Sequence, residues 1–292
     1  MSWRVAILGP GAVGGMLAVR LAQTDAEVVC VTRPDAAAAI RSEGLTLRQG
    51  ESVATARPEA VEELREPVDL LLITVKAPAL ADALDRVAAR ATAVVPLMNG
   101  LEHVEAIRRR LDANVIAGSI GRLEAYREGR TRIVQATASP LVTLAAADGV
   151  AERLTGAGLD VRIGESERAV LWDKLARLAP LAAATAATQR SLGELRADPE
   201  WRVTLEAAVA EACAVAGAEG VILTTAAQWE TLDTMPASVT TSTARDAAAG
   251  SPTELDAHLG AVVRAARRLD VPAPTLERLL VEAEDACQAL SR

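Results

Sequence analysis

The sequence predicts an α/β protein, with a doubly wound parallel sheet in an N-terminal domain followed by an all-helical C-terminal domain. Three observations predict it. Short aliphatic runs alternate with helical patterns over residues 1–165. A glycine-rich turn follows the first of those runs. From Ser166 onward the strand signal stops, and Ala, Leu and Glu recur at helical spacing. The expected domains are therefore residues 1–165 and 166–292.

Each element has its own justification. "RVAILG", "EVVCVTR", "VDLLLITV" and "TAVVPLMNG" are short apolar runs closed by turn-formers, the pattern of strands buried on both faces. Between the first two, "AVGGMLAVRLAQT" places apolar residues every three or four positions, which is helical. "NVIAGSIG" and "TRIVQA" read as further strands joined through "YREGRT", and "SPLVTLA" and "LDVRIG" close the first domain. The remainder is punctuated at Pro199, Gly220, Pro236, Gly250, Pro252, Pro272 and Pro274. Breakers at those points divide it into four to six helices.

Composition excludes several function classes. Half of the 292 residues are hydrophobic and 24% charged, the balance of a globular protein. There is no Phe and one Tyr, so bases would find little to stack on. A net charge of −8 likewise argues against a nucleic-acid partner. Cys30, Cys213 and Cys287 are odd in number and widely spaced, which fits free thiols in a reducing cytoplasm. His103 and His258 alone cannot build a histidine metal site. No uncharged stretch is long enough to span a bilayer, and no membrane partner is expected.

"VAILGPGAVGG" supplies Gly9, Gly11 and Gly14 as G-x-G-x-x-G between a strand and a helix. Gly9 permits the tight turn, Gly11 admits a pyrophosphate, and Gly14 lets helix and strand pack closely. The anion would meet the free N–H groups of Ala12, Val13 and Gly14 at the helix start. This is the Rossmann dinucleotide fingerprint. An unphosphorylated ribose calls for Asp or Glu at the end of the second strand. This chain has Thr32 and Arg33 there, and arginine suits the 2′-phosphate of NADP(H). The alternative leaves Arg33 in solvent and lets Asp35 reach the ribose.

Ligands of open α/β sheets lie beyond the carboxyl ends of the strands. Lys76 ends "LLITVK" and Asn99 ends "VVPLMNG", on neighbouring strands beside the dinucleotide turn. Either alone would pass as a turn residue. A third cation, Lys174, stands in "LWDKLARLAPLAAA", an otherwise mostly apolar helix. A lysine there either pairs with Asp173 or Glu254 as a structural cation or serves chemistry.

Together "GPGAVGG", "VTR", "TVKA", "MNG", "LWDKL", "SLGEL" and "TSTARDAAAGSPTELD" give the chain a resemblance to the ketopantoate reductase (2-dehydropantoate 2-reductase) family over nearly its full length. The resemblance implies a Rossmann domain, a helical substrate and dimerisation domain, a homodimer, and NADPH-dependent reduction of a small-molecule 2-oxo acid. It implies Lys174 as catalytic lysine with Glu254 beside it, and Asn99, Ser242 and Glu254 at the substrate. Lys76 and Asn99 would face the cofactor, and Arg33 would hold its 2′-phosphate. The ammonium would stabilise charge developing on the carbonyl oxygen and supply its proton.

One departure stands out. Family members carry asparagines four and eight residues after the lysine, where this chain has Leu178 and Ala182. Pro180 between them is expected to kink the helix. The departure opens two alternatives to ketopantoate: a more apolar 2-oxo acid or ketone, or a non-catalytic NADP-binding relative.

Overall fold

The computed structural model describes residues 3–147 and 149–291. In chain order the first strands are β1 (Trp3–Leu8), β2 (Ala26–Val31), β3 (Leu45–Gln49), β4 (Ser52–Ala56), β5 (Glu59–Val61) and β6 (Val68–Ile73). They are followed by β7 (Ala91–Pro96), β8 (Asn114–Val115), β9 (Gly118–Gly121), β10 (Ala125–Arg127), β11 (Arg132–Gln135), β12 (Leu141–Leu144) and β13 (Asp160–Ile163). Among them lie helices α1 (Ala12–Leu21), α2 (Pro34–Glu43), α3 (Leu80–Leu84), α4 (His103–Arg108) and α5 (Val150–Gly156).

The central sheet has the order β5-β2-β1-β6-β7-β8 and is parallel throughout. Val5, Ala6, Ile7 and Leu8 of β1 and Leu71, Leu72 and Ile73 of β6 are almost wholly shielded from solvent. These are the runs whose unbroken apolar character marked them in the sequence. Met16, Leu17, Val19 and Leu21 of α1 pack into the same core, which is built without any phenylalanine.

The sheet is not the whole of this domain. A second sheet, β10-β11-β3-β4, and a third, β13-β12-β9, mix parallel and antiparallel pairs. Strands β3, β4, β5 and β10 are absent from the sequence reading. Each has three to five residues, with charged or small side chains interrupting its apolar pattern.

Contacts divide the chain into two compact units, 1–98 with 103–170, and 99–102 with 171–292. Among the described residues the last strand ends at Ile163. Beyond it come α6 (Glu167–Thr188), α7 (Leu192–Ala197), α8 (Pro199–Ala218), α9 (Thr225–Thr234), α10 (Ser242–Ala248), α11 (Ala261–Arg268) and α12 (Pro274–Leu290). A π-helical turn, Asp256–Gly260, leads into α11. Seven helices among the described residues exceed the four to six expected, because α7 and α10 span only six and seven residues. Two turns are too short for a periodic signal. α7 is nonetheless well specified: Ser191 and Glu194 form a reciprocal capping box.

Helix α6 runs through Pro180 as one continuous helix. The proline has no N–H to return to the Ala176 carbonyl, so the helix carries that gap without ending. Its rotation is fixed by Trp172, fully buried, whose Nε1 donates to Glu219 Oε2 at 2.9 Å.

Candidate active site

The glycine turn joins β1 to α1 with Gly9 at φ +86°. A Cβ there would come within 2.4 Å of Val75 Cγ1, and one on Gly14 within 2.3 Å of Thr74 Oγ1. Gly11 is different: its nearest neighbour would be 3.9 Å away, so the backbone face stays open. Thr74 ties the turn to the end of β6 by donating to Gly9 O at 2.8 Å. Gly11 caps α1 with no side-chain acceptor, and the first turn carries no acid. Tight packing behind, an open face and uncapped N–H groups at Ala12, Val13 and Gly14 make a cradle that fits a pyrophosphate.

Arg33 follows β2 as the residue before α2, exposed and with no side-chain partner among the described residues. Asp35, the alternative ribose ligand, has its carboxylate 3.6 Å from Arg130. Lys76 follows β6, exposed, at the start of a 3₁₀ turn over Ala77–Ala79.

In the second unit three of the expected residues converge. Lys174, one turn into the unit's share of α6, donates from Nζ to Asn99 Oδ1 at 2.7 Å. Glu254, 7% exposed, acts on the same ammonium electrostatically. Burial, then the charge of Arg177, pulls the Lys174 pKa down to about 8 from its ordinary value near 10.5, while Glu254 opposes the fall. An arginine in the same place would stay charged at any working pH.

The segment bearing Asn99 is pinned to its unit. Gly100 sits at φ +105°, where a Cβ would lie 2.5 Å from the Ala257 carbonyl oxygen of the π turn. Two residues on, Glu102 accepts from Arg264 at 2.8 and 2.9 Å, and the same guanidinium bonds Asp256. The Glu254 carbonyl accepts from His258 N–H at 3.0 Å, just ahead of the π turn Asp256–Gly260. Single π turns recur at functional sites. Ser242 begins α10 with an exposed hydroxyl and makes no hydrogen bond to Lys174, Asn99 or Glu254. Its neighbour Thr243 is the one turned inward, with Oγ1 3.4 Å from His258 Nδ1.

Two family models match, "Ketopantoate reductase PanE/ApbA" over residues 5–149 and its C-terminal counterpart over residues 167–284. The chain belongs to the ketopantoate reductase family. The 2-dehydropantoate 2-reductase of Caulobacter vibrioides is 31% identical over 294 residues, covering 96% of this chain and 98% of that protein. A crystal structure of a PanE/ApbA family ketopantoate reductase from Ralstonia eutropha superposes with TM-score 0.89 at 27% identity, covering 99% of this chain and 100% of that one. D-mandelate dehydrogenase, solved with NADH and anilino(oxo)acetate, shares the fold at TM-score 0.90 and 21% identity, covering 98% and 99%. As a ketopantoate reductase family member the chain is an oxidoreductase acting on CH–OH groups.

Leu178 and Ala182, at the family's asparagine positions, are half-buried and fully buried. Sequence reasoning missed Arg177, Gln228 and the depth of His258. One signal was within reach: the chain has only two lysines, Lys76 and Lys174, every other basic side chain being arginine or histidine. Where arginine is the usual cation, a lysine stands out, because lysine rather than arginine can give up its proton when buried.

Proposed function

We propose that this protein reduces a 2-oxo acid to the 2-hydroxy acid with NADPH, and that ketopantoate is its substrate and pantoate its product. The observation that carries the reading is the Lys174 ammonium, hydrogen-bonded to Asn99 and balanced by buried Glu254, with its pKa lowered to about 8. The glycine turn, Ala12, Val13 and Arg33 would hold the dinucleotide, with Lys76 and Asn99 beside it. When bound, the reduced nicotinamide supplies hydride to a carbonyl carbon. Lys174 would donate a hydrogen bond to the carbonyl oxygen and release its proton there as negative charge develops. Asn99 aims the ammonium, Glu254 keeps it charged until that moment, and Ser242 offers an uncharged partner to the substrate.

Following NADPH absorbance with ketopantoate tests this directly. Lys174→Met should lower kcat by about 10²–10³ and leave dinucleotide binding intact. Absence of NADPH oxidation with ketopantoate and with every other 2-oxo acid tried would overturn the reading. A second reading, a bulkier apolar 2-oxo acid, is favoured by Leu178 and Ala182. Higher kcat/KM for such acids than for ketopantoate in the same assay decides for it.

NADPH rather than NADH is proposed from Arg33, exposed and uncommitted to any carboxylate among the described residues. NADPH should bind the more tightly, and Arg33→Ala should narrow the gap. Equal wild-type affinities in a fluorescence titration would sink it. A cytoplasmic homodimer completes the proposal, with sedimentation velocity as the check on assembly.

A further inference from the structure

Arg177 lies three residues beyond Lys174 on α6, a spacing that makes the two side chains neighbours on the helix surface. Its guanidinium is held from two sides. It donates to Gln228 Oε1 of α9 at 2.8 Å and to the backbone carbonyl of Asp173. Gln228 is itself buried, with Nε2 3.5 Å from Asp173 Oδ1, which orients its amide oxygen toward the arginine. The carboxylate within reach neutralises Arg177 poorly. Asp173 Oδ1 is 3.9 Å away on a side chain 64% exposed, against 20% for Arg177. A partly buried positive charge is therefore fixed beside Lys174 and incompletely compensated.

The groups facing Lys174 come from several elements. Asn99 contributes a neutral acceptor and Glu254 a negative charge. His258 of the π turn is buried and neutral at ordinary pH. Arg177 is the like charge in that set. We propose that Arg177, fixed by Gln228 and the Asp173 carbonyl, is a positioning residue that makes the Lys174 ammonium a readier proton donor. The inference rests on the reading of Lys174 as the donor. Burial supplies the larger part of the acidity, and a neighbouring cation adds to it by destabilising the charged form. Glu254 works in the other direction, so the ammonium is retained while substrate binds and surrendered when the oxygen becomes basic.

The two-lysine composition gives a readout independent of catalysis. With ¹³Cε-lysine, the full-length protein shows two lysine signals, and Lys76→Arg identifies the one from Lys174. In wild type that signal should titrate near pH 8. Arg177→Met should raise the midpoint by about half a unit to one unit. Should Arg177→Met fail to fold, Gln228→Glu serves instead: a carboxylate on the guanidinium should raise the midpoint likewise. A Lys174 midpoint unmoved by both substitutions overturns the inference. The alkaline limb of kcat/KM for ketopantoate reduction should follow the same shifts. If the signal moves and the limb does not, Arg177 tunes the lysine but Lys174 is not the proton donor, and the functional reading falls instead.

Discussion

His103 and His258 are both buried, and the two ring nitrogens of His103 and Nε2 of His258 have no hydrogen-bond partner among the described residues. Burial pushes both pKa values down to about 4, with the Lys174 charge adding to the effect at His258 and Glu167 opposing it at His103. In the unfolded chain a histidine takes up its proton near pH 6.5. Between pH ~6.5 and ~4 the unfolded state therefore binds more protons, and stability falls as pH falls. Above that window the term vanishes. Calorimetry at pH 7, 5.5 and 4.5 should show Tm dropping stepwise, and His258→Leu should flatten part of the drop; an unchanged slope would refute the assignment. At this scale legibility depended on residue type. Lys174 and Asn99 could be singled out because each is chemically conspicuous where it stands, whereas Glu254 entered through the family resemblance. Arg177 could not, because its partner Gln228 lies 51 residues away and only folding brings them together.

Elements hold the site by close approach more than by many bonds. The 99–102 segment is fixed where Gly100 meets the Ala257 carbonyl and where Glu102 meets Arg264. Adding one methyl at Gly100 would press on that carbonyl and impose φ +105° on a residue with a Cβ. Gly100→Ala should cost about 1–3 kcal/mol in urea unfolding and lower kcat as Asn99 leaves Lys174; wild-type values of both would show the segment to be pliable. The long elements were readable because their apolar runs are unbroken, as in "VAIL" and "LLLI". The short ones were not. Leu45 and Leu47 of β3 alternate with Thr46 as a strand should, but Arg48 and Gln49 end the pattern within two repeats. The π turn leaves no trace either, since one extra residue per turn does not alter a composition already helical.

Across the whole molecule, the architecture follows from a change in periodicity near residue 165, and the family's two sequence segments match on either side of it. Composition also constrains what can be done to the protein. Lys76 is exposed, whereas Lys174 is half-buried with its pKa lowered to about 8. Apart from the chain's amino terminus, these are the only amines an acylating reagent can meet. A succinimidyl ester at pH 8 should therefore act as a near-selective affinity label without any recognition element. Intact-mass measurement with peptide mapping should show Lys76 acylated first and one further acyl group at Lys174. Acylation of Lys174 ahead of Lys76 would contradict that order. Surface coupling through amines, routine for most enzymes, would reach Lys174, the proposed proton donor, once Lys76 is used up, and guanidinium-directed chemistry would meet exposed Arg33; thiol-directed coupling at Cys287, with Cys30 and Cys213 buried, is the way to attach the protein intact.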